Sequence, residues 1–402
     1  MSSGSNKNRV IRVGFILEVS DWLGGINYYR SLFSALRLLP EPKIEPVLFV
    51  STEAEEGLVE QFGPMRVVRS SLLSPGSPSG ILRRAVRKVL GQRDPALELM
   101  LRGHGVDVLS HYSGALSRGT RIKTVGWIPD FQFLHLPDLF TAEDIARRGE
   151  AVRLLTDHCD RLIVSSAAAQ DDLGRFVPEA LSRSRVLHFV PEVDACESLP
   201  TLADLEQKYG FQGPYFYLPN QFWAHKNHRV VVDALGELRQ AGRSATVLAT
   251  GKTHDHRHPA HFEELMSAVA EAGLSESFRV LGIVPYGDLL SLMHHSLAVI
   301  NPSFCEGWST TVEESKALDK TLLLSDLPVH REQNPPRGIF FNPRDPRQLA
   351  DMMMQVQTGA GGACASGGGL ELSRDYSEKR IQFAREYQEI ILKLCSEGLA
   401  SK

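Results

Sequence analysis

At 402 residues the chain is long enough for two or three domains of about 150 residues each, so a peptide-sized module is excluded. Hydrophobic residues make up 43% and charged residues 23%, an ordinary globular composition that is neither collagen-like nor disordered. A net charge of −4 with a pI near 6.4 gives no global basic field for nucleic acid. Five scattered cysteines (Cys159, Cys196, Cys305, Cys364 and Cys395), never in a C-x-x-C pair, argue against a disulfide framework or a zinc ribbon and fit a reducing compartment.

The first apolar run, residues 10–17, is cut by Glu18 and Asp21 and lacks a small-residue cleavage site, so it reads as a buried strand rather than a signal peptide. No run reaches the roughly 18 consecutive apolar residues of a membrane-spanning helix. Strand patterns then follow at 44–51, 65–69, 106–111, 124–128, 161–166 and 185–189, separated by longer amphipathic stretches. A second series occupies 215–218, 245–251, 278–283, 297–302, 321–325 and 338–341. Alternating strands and helical stretches of this kind predict βαβ units and parallel sheets. The proline- and acid-rich run 190–206 interrupts the rhythm and predicts a linker, which places an α/β domain over 1–190 and a second over 207–370 with a cleft between them. The glycine-dense run 359–369 predicts a flexible loop or hinge, with a final helix beyond it at about 377–398.

Open parallel sheets bind ligands beyond the carboxyl ends of their strands, where loops and helix N-termini converge. After the first strand, Gly24-Gly25 opens a helix without the G-x-G-x-x-G of dinucleotide sites. Such a turn either lets bare backbone approach a phosphate or sugar, or is simply a tight turn.

The segment after the strand at 297–302 reads SFCEGWSTTVEESKALDK, in which seven residues separate Glu306 from Glu314. It resembles the Glu-x7-Glu signature of retaining family 4 glycosyltransferases, whose GT-B architecture is two Rossmann-like, doubly wound parallel-sheet domains facing across a cleft. The segment LPNQFWAHKNH (218–228) is similar to that family's phosphate loop, with Lys226 as the lysine on the donor diphosphate. The stretch 281–296, around Val284-Pro285, resembles the segment that reads the nucleotide base. WIPDFQFLHLPDLF (127–140) occupies the place of the acceptor and catalytic loop.

The resemblance implies catalytic roles for Glu306 and Asp130, with His135, five residues beyond Asp130, as a candidate substitute for the family's histidine. It implies donor binding by Gly24, Gly25, Asn220, Lys226, Gly251, Val284, Gly307, Ser309, Thr310, Thr311 and Glu314. Glu306 would face the donor sugar, Glu314 would accept ribose hydroxyls, and Lys226, Gly24-Gly25 and the Ser309–Thr311 amides would cradle the leaving diphosphate. The GT-B resemblance implies no cofactor and no essential metal, and the sequence offers no Asp-x-Asp motif in a convincing context. Two departures stand out. Asn220-Gln221 replaces an arginine expected five or six residues before the lysine, and Pro129-Asp130 replaces a His-Asp pair.

The resemblance thus implies a retaining, metal-independent hexosyltransferase that moves a sugar from a nucleoside diphosphate sugar to a glycan or lipid-linked acceptor in surface polysaccharide or glycolipid synthesis. The alternatives are a GT-B nucleotide-sugar epimerase or a non-catalytic sugar-nucleotide binder. The expected setting is cytoplasmic, and Glu306→Ala and Lys226→Ala are each expected to abolish transfer with the fold intact. The cluster His254, Asp255, His256, His258 and His261 lies in a polar loop without ligand-spaced carboxylates and is set aside as a metal site. His294-His295 read as surface or core-edge histidines, and Trp223, beside the phosphate loop, reads either as a donor contact or as a packing residue. Residues 81–93 carry Arg83, Arg84, Arg87, Lys88 and Arg93 with no acid, and read either as an amphipathic helix packed on its own domain or as a peripheral contact with anionic lipid at the inner membrane face.

Overall fold

The computed structural model describes residues 9–17, 23–117, 119–193, 199–359 and 372–397. Cys196, Cys364, Glu18, Asp21 and most of the glycine-dense run lie outside the described residues. Every strand pattern named above corresponds to a strand. The chain divides into two compact units, one of Met1–Phe131, Ala146–Glu192 and Ser377–Lys402, the other of Gln132–Ile145 and Val193–Tyr376.

The first unit holds β1 (Ile11–Ile16), β2 (Ile44–Ser51), β3 (Arg66–Ser70), β4 (Val108–Ser110), β5 (Lys123–Ile128), β6 (Arg161–Val164) and β7 (Ser184–Val186). The second holds β8 (Phe216–Leu218), β9 (Val247–Thr250), β10 (Phe278–Gly282), β11 (Val299–Asn301), β12 (Leu322–Ser325) and β13 (Gly338–Phe341). Their orders are β3-β2-β1-β4-β5-β6-β7 and β10-β9-β8-β11-β12-β13. All pairings in both are parallel. Sheets covered by helices on both faces need strands that are apolar on both faces. The continuous burial of Arg161–Val164 and Leu322–Ser325 shows this pattern. In each sheet the order reverses at one place, between β1 and β4 and between β8 and β11, and a crevice opens at such a point beyond the strand ends.

The first core gathers Val47, Phe49, Leu97, Leu101 and Leu109. The second gathers Phe216, Leu218, Val231, Leu235, Ile300 and Leu323. The last helix, Tyr376–Glu397, buries Phe383, Ala384, Tyr387, Ile391 and Leu394, a stripe at helical spacing. From Ser377 onward it groups with the first unit, where Tyr387 donates its hydroxyl to Ser110 at 2.9 Å and the Lys43 amide donates to Gln388 Oε1 at 2.7 Å.

Three expectations change. Residues 132–145, placed by the sequence within the domain 1–190, group with the second unit. The run 190–206 ends in the start of a helix, Leu202–Tyr209, because Thr201 and Asp204 make a reciprocal capping box. The basic segment forms the helix Pro78–Val89, but its apolar residues do not pack inward. Leu82 is 65% and Val89 84% exposed, with Ile81 and Leu90 also exposed. Arg83 instead turns inward, 2.7 Å from Asp94, which also draws Arg87 to 3.7 Å. Asp94, buried and capping the following helix Pro95–Gly103, demands a cation, and that demand outweighs the pull on the leucines and valines. Of the proposed lipid-facing cations, Arg84 and Lys88 face solvent and Arg83 does not. No described helix is long and apolar enough to cross a membrane.

Candidate active site

Loops after β8 and β11 flank the crevice of the second sheet, and they carry the two residues on which the donor reading rests. After β8 the chain runs through Asn220 to a single 3-10 turn, Ala224–Lys226, and leaves it at Asn227 in the left-handed region at φ 55°. Asn227 tolerates that conformation and uses its side-chain amide to grip the carbonyls of Pro302 (3.0 Å) and Pro343 (2.8 Å). The turn is thereby fixed to the loop after β11. Lys226 Nζ then reaches Glu306 Oε1 at 2.7 Å, with side chains only 17% and 9% exposed.

Glu306 also lies 2.7 Å from Ser303 Oγ, which sits 2.8 Å from Asn301 Oδ1, so one hydroxyl proton serves two acceptors. Burial alone raises a carboxyl's pKa, but the Lys226 charge and the hydrogen bonds from Lys226 and Ser303 outweigh it and hold Glu306 below its ordinary value. It is an anion at neutral pH. His330 is wholly buried near the same carboxylate, and burial lowers its pKa despite that charge. Its Nδ1 hydrogen-bonds to the Ser325 carbonyl at 2.8 Å, which leaves Nε2 an acceptor with no hydrogen bond.

Ser309 caps the helix Thr310–Ala317, its hydroxyl accepting from the Val312 amide at 3.4 Å and from Asn301 Nδ2 at 2.7 Å. Its own amide donates to Gln333 Oε1 at 3.3 Å, so the expected three-amide cradle loses Ser309 to a side chain of the protein. Glu314, one turn into the helix, is 7% exposed and accepts from the Tyr286 hydroxyl at 2.9 Å. That tyrosine opens the helix Tyr286–His295 directly after Val284-Pro285, so the loop expected to read the base and the carboxylate expected to hold the ribose are joined.

Asn220 is buried, with its side-chain amide 3.4 Å from Asn301 Oδ1 and its Oδ1 3.5 Å from Thr311 Oγ1. It bridges loops with neutral groups and carries no charge to a ligand. Gly251, after β9, has φ +143°, and a Cβ there would lie 2.6 Å from the Asn220 carbonyl oxygen. Glycine is required by this close approach of two backbones. Gly307 follows Glu306 in the same loop.

In the first unit, Gly24 and Gly25 lie in the first turn of the helix Leu23–Arg37, beyond β1 at the reversal of strand order. Asp130 follows β5, and His135 is exposed at the end of the short helix Gln132–His135 in the second unit. Among the described residues no three His, Cys, Asp or Glu side chains gather as metal ligands. In the histidine-rich loop, Asp255 accepts the backbone amides of Ala224 and Arg257.

Two residues passed over by the sequence analysis enter here. His111 follows β4, across the strand reversal from Gly24-Gly25, in the left-handed region at φ 59°. Its ring lies 2.7 Å from Ser110 Oγ and 3.1 Å from the Tyr28 hydroxyl, among the rings of Phe15, Tyr28 and Trp127. Burial lowers its pKa to about 3, so it is neutral. Arg257 is the other, hidden in the sequence inside a run read only for its histidines. A lone arginine after a strand of the second sheet was the available signal.

Residues 205–360, most of the second unit, match the family model described as Glycosyl transferases group 1. A 2-deoxystreptamine glucosyltransferase from Streptomyces kanamyceticus is 27% identical over 163 residues, 40% of this chain and 38% of that protein's length. The crystal structure of Anabaena Alr3699/HepE in complex with UDP-glucose superposes with a TM-score of 0.63 at 15% identity, over 98% of this chain and 100% of the other. Sucrose-phosphate synthase from Thermosynechococcus elongatus does so with a TM-score of 0.66 at 15% identity, over 97% and 99%. These likenesses establish the fold, a pair of parallel α/β sheets shared with GT-B glycosyltransferases.

Proposed function

We propose, from a chain whose second unit matches the group 1 glycosyl transferases, that the protein is a retaining glycosyltransferase using a nucleoside diphosphate sugar. The observation that carries this reading is the buried Lys226–Glu306 pair at the strand-order reversal of the donor sheet. Transfer breaks the bond from the anomeric carbon to the diphosphate oxygen, and the electron pair leaves with the diphosphate. Lys226 has three N–H donors and spends one on Glu306, so two remain for phosphate oxygens. Fixed cations and amides aimed at charge that develops in the transition state are an effective form of catalysis.

Glu306, kept ionised, stabilises the cationic sugar or holds its hydroxyls. The acceptor hydroxyl bonds to the anomeric carbon on the face the diphosphate leaves, and its proton passes to the departing phosphate oxygen. Glu314, steadied by Tyr286, takes the ribose hydroxyls. Gly24, Gly25, Thr310 and Thr311 supply backbone donors, and Asp130 and His135 orient donor or acceptor. The acceptor is a glycan or lipid-linked sugar of surface polysaccharide or glycolipid synthesis, and the setting is cytoplasmic. The exposed patch of Ile81, Leu82, Val89 and Leu90, with Arg84 and Lys88 beside it and no acid in its helix, supports peripheral contact with an anionic bilayer.

Incubation with a panel of nucleotide sugars and envelope lipid tests the function. Release of nucleoside diphosphate with sugar on an acceptor is expected, and EDTA leaves the rate unchanged. Altered free sugar without transfer, or binding without turnover, would refute it.

A further inference from the structure

A buried guanidinium lies beside the Lys226 loop, and the reaction above leaves it unused. Arg257 follows β9, the neighbour of β8 in the sheet. Asp255 binds the two loops together, accepting the Ala224 amide at 3.1 Å and the Arg257 amide at 3.0 Å. The Arg257 side chain is 9% exposed, its Cζ 5.4 Å from the ring centre of Trp223 and 5.0 Å from that of Phe140. Nη1 donates to Gln132 Oε1 at 2.8 Å and Nη2 to His225 Nδ1 at 3.3 Å. A guanidinium has five N–H donors, so three are left over. One of these, on Nε, is buried and makes no hydrogen bond, although Asp255 Oδ1 stands 3.6 Å away. Asp255 balances the charge of this cation, but the buried Nε donor stays unspent, and a buried donor is costly until an acceptor meets it.

The neighbours indicate which acceptor. Lys226 is the next residue after His225, which Arg257 touches. Asn220 and Gln221, where the family resemblance expects an arginine, bring no charge. Because arginine only donates, His225 must accept at Nδ1, which fixes its neutral tautomer with the proton on Nε2. We propose that Arg257 binds the diphosphate of the donor, supplying from the loop after β9 the cation that the loop after β8 lacks. The inference rests on the reading of Lys226 as a diphosphate ligand. Its planar fork suits phosphate oxygens, and the two rings hold that plane in place.

Calorimetric titration with UDP, GDP and dTDP, and with uridine, guanosine and thymidine, tests this on the full chain. Wild type should bind at least one diphosphate. Arg257→Gln should weaken that diphosphate roughly ten- to hundredfold while leaving the parent nucleoside unchanged, the loss expected for a charge-assisted hydrogen bond. Arg257→Lys should fall between the two. Unchanged diphosphate binding in Arg257→Gln, or an equal loss for nucleoside and diphosphate, would overturn the assignment and leave the donor reading standing. Should Arg257→Gln fail to fold, the same comparison in Arg257→Lys decides, with equal losses counting against the proposal. Absence of diphosphate binding in wild type would remove the donor reading and this inference together.

Discussion

Glu306 and Lys226 behave as one chemical unit, and this changes how substitutions there are to be read. The sequence leads one to expect that Lys226→Ala abolishes transfer with the fold intact. With both side chains buried, removing the lysine strands an anion at a cost of about 3–5 kcal/mol. Lys226→Ala should therefore melt earlier as well as lose activity, which a thermal melt beside a transfer assay will show. Glu306→Gln keeps an acceptor for Lys226 and Ser303 but loses the charge. Its melting point should fall less than that of Lys226→Ala, because Lys226 loses its counter-charge but keeps a hydrogen-bond acceptor, while kcat falls roughly 10²–10³-fold, the scale of losing one transition-state charge contact. Near-normal turnover in Glu306→Gln would sink the mechanism.

The pH dependence of stability follows from residues of the opposite kind. His111 and His228 are each held near pKa 3 by burial, against 6.5 when exposed. The unfolded chain binds more protons than the folded one between these values, so stability present above about pH 6.5 is lost as pH falls toward 3. Glu306 acts in the same direction, its contribution vanishing as pH drops through its lowered folded value. His111→Asn, which tolerates the left-handed backbone, should flatten the decline of Tm between pH 6.5 and 4. An unaltered slope would show that His111 does not govern it.

At the scale of elements, the strands were legible because a strand covered on both faces needs an apolar run, and such runs stand out between helical stretches. The helix Pro78–Val89 was legible as a helix but not in its orientation. The apolar stripe suggested which face turns inward, whereas the buried Asp94 decided it by drawing in Arg83. Only a tertiary neighbour from beyond the helix's end could reveal this. Its outward patch makes a specific prediction. In sedimentation with vesicles, wild type should pellet with anionic but not neutral lipid, and Leu82→Asp with Val89→Asp should abolish pelleting without altering turnover of a soluble acceptor. Equal recovery of wild type and variant would refute membrane contact. Segment 132–145 shows the same limit, since it groups with the second unit and its Gln132 accepts from Arg257, far away in sequence.

For the whole molecule, a donor that binds only the folded state stabilises it by about 2.7 kcal/mol at a hundredfold excess over Kd. A melting screen against UDP-, GDP- and dTDP-sugars should therefore raise Tm for one base class, and no rise with any would argue against a sugar nucleotide as ligand. The sequence by itself determined the two parallel sheets and the strand ends that carry loops, and it singled out Lys226, Glu306 and Glu314 as candidates, because periodicity and motif spacing are local properties of the chain. Only the tertiary structure decided that Lys226 meets Glu306, that the Ser309 amide is taken by Gln333, that Arg257 reaches His225 next to Lys226, and that His111 stands at a strand end of its own sheet. Those facts depend on parallel strands that are adjacent in space and remote in sequence, and no local pattern records such pairings.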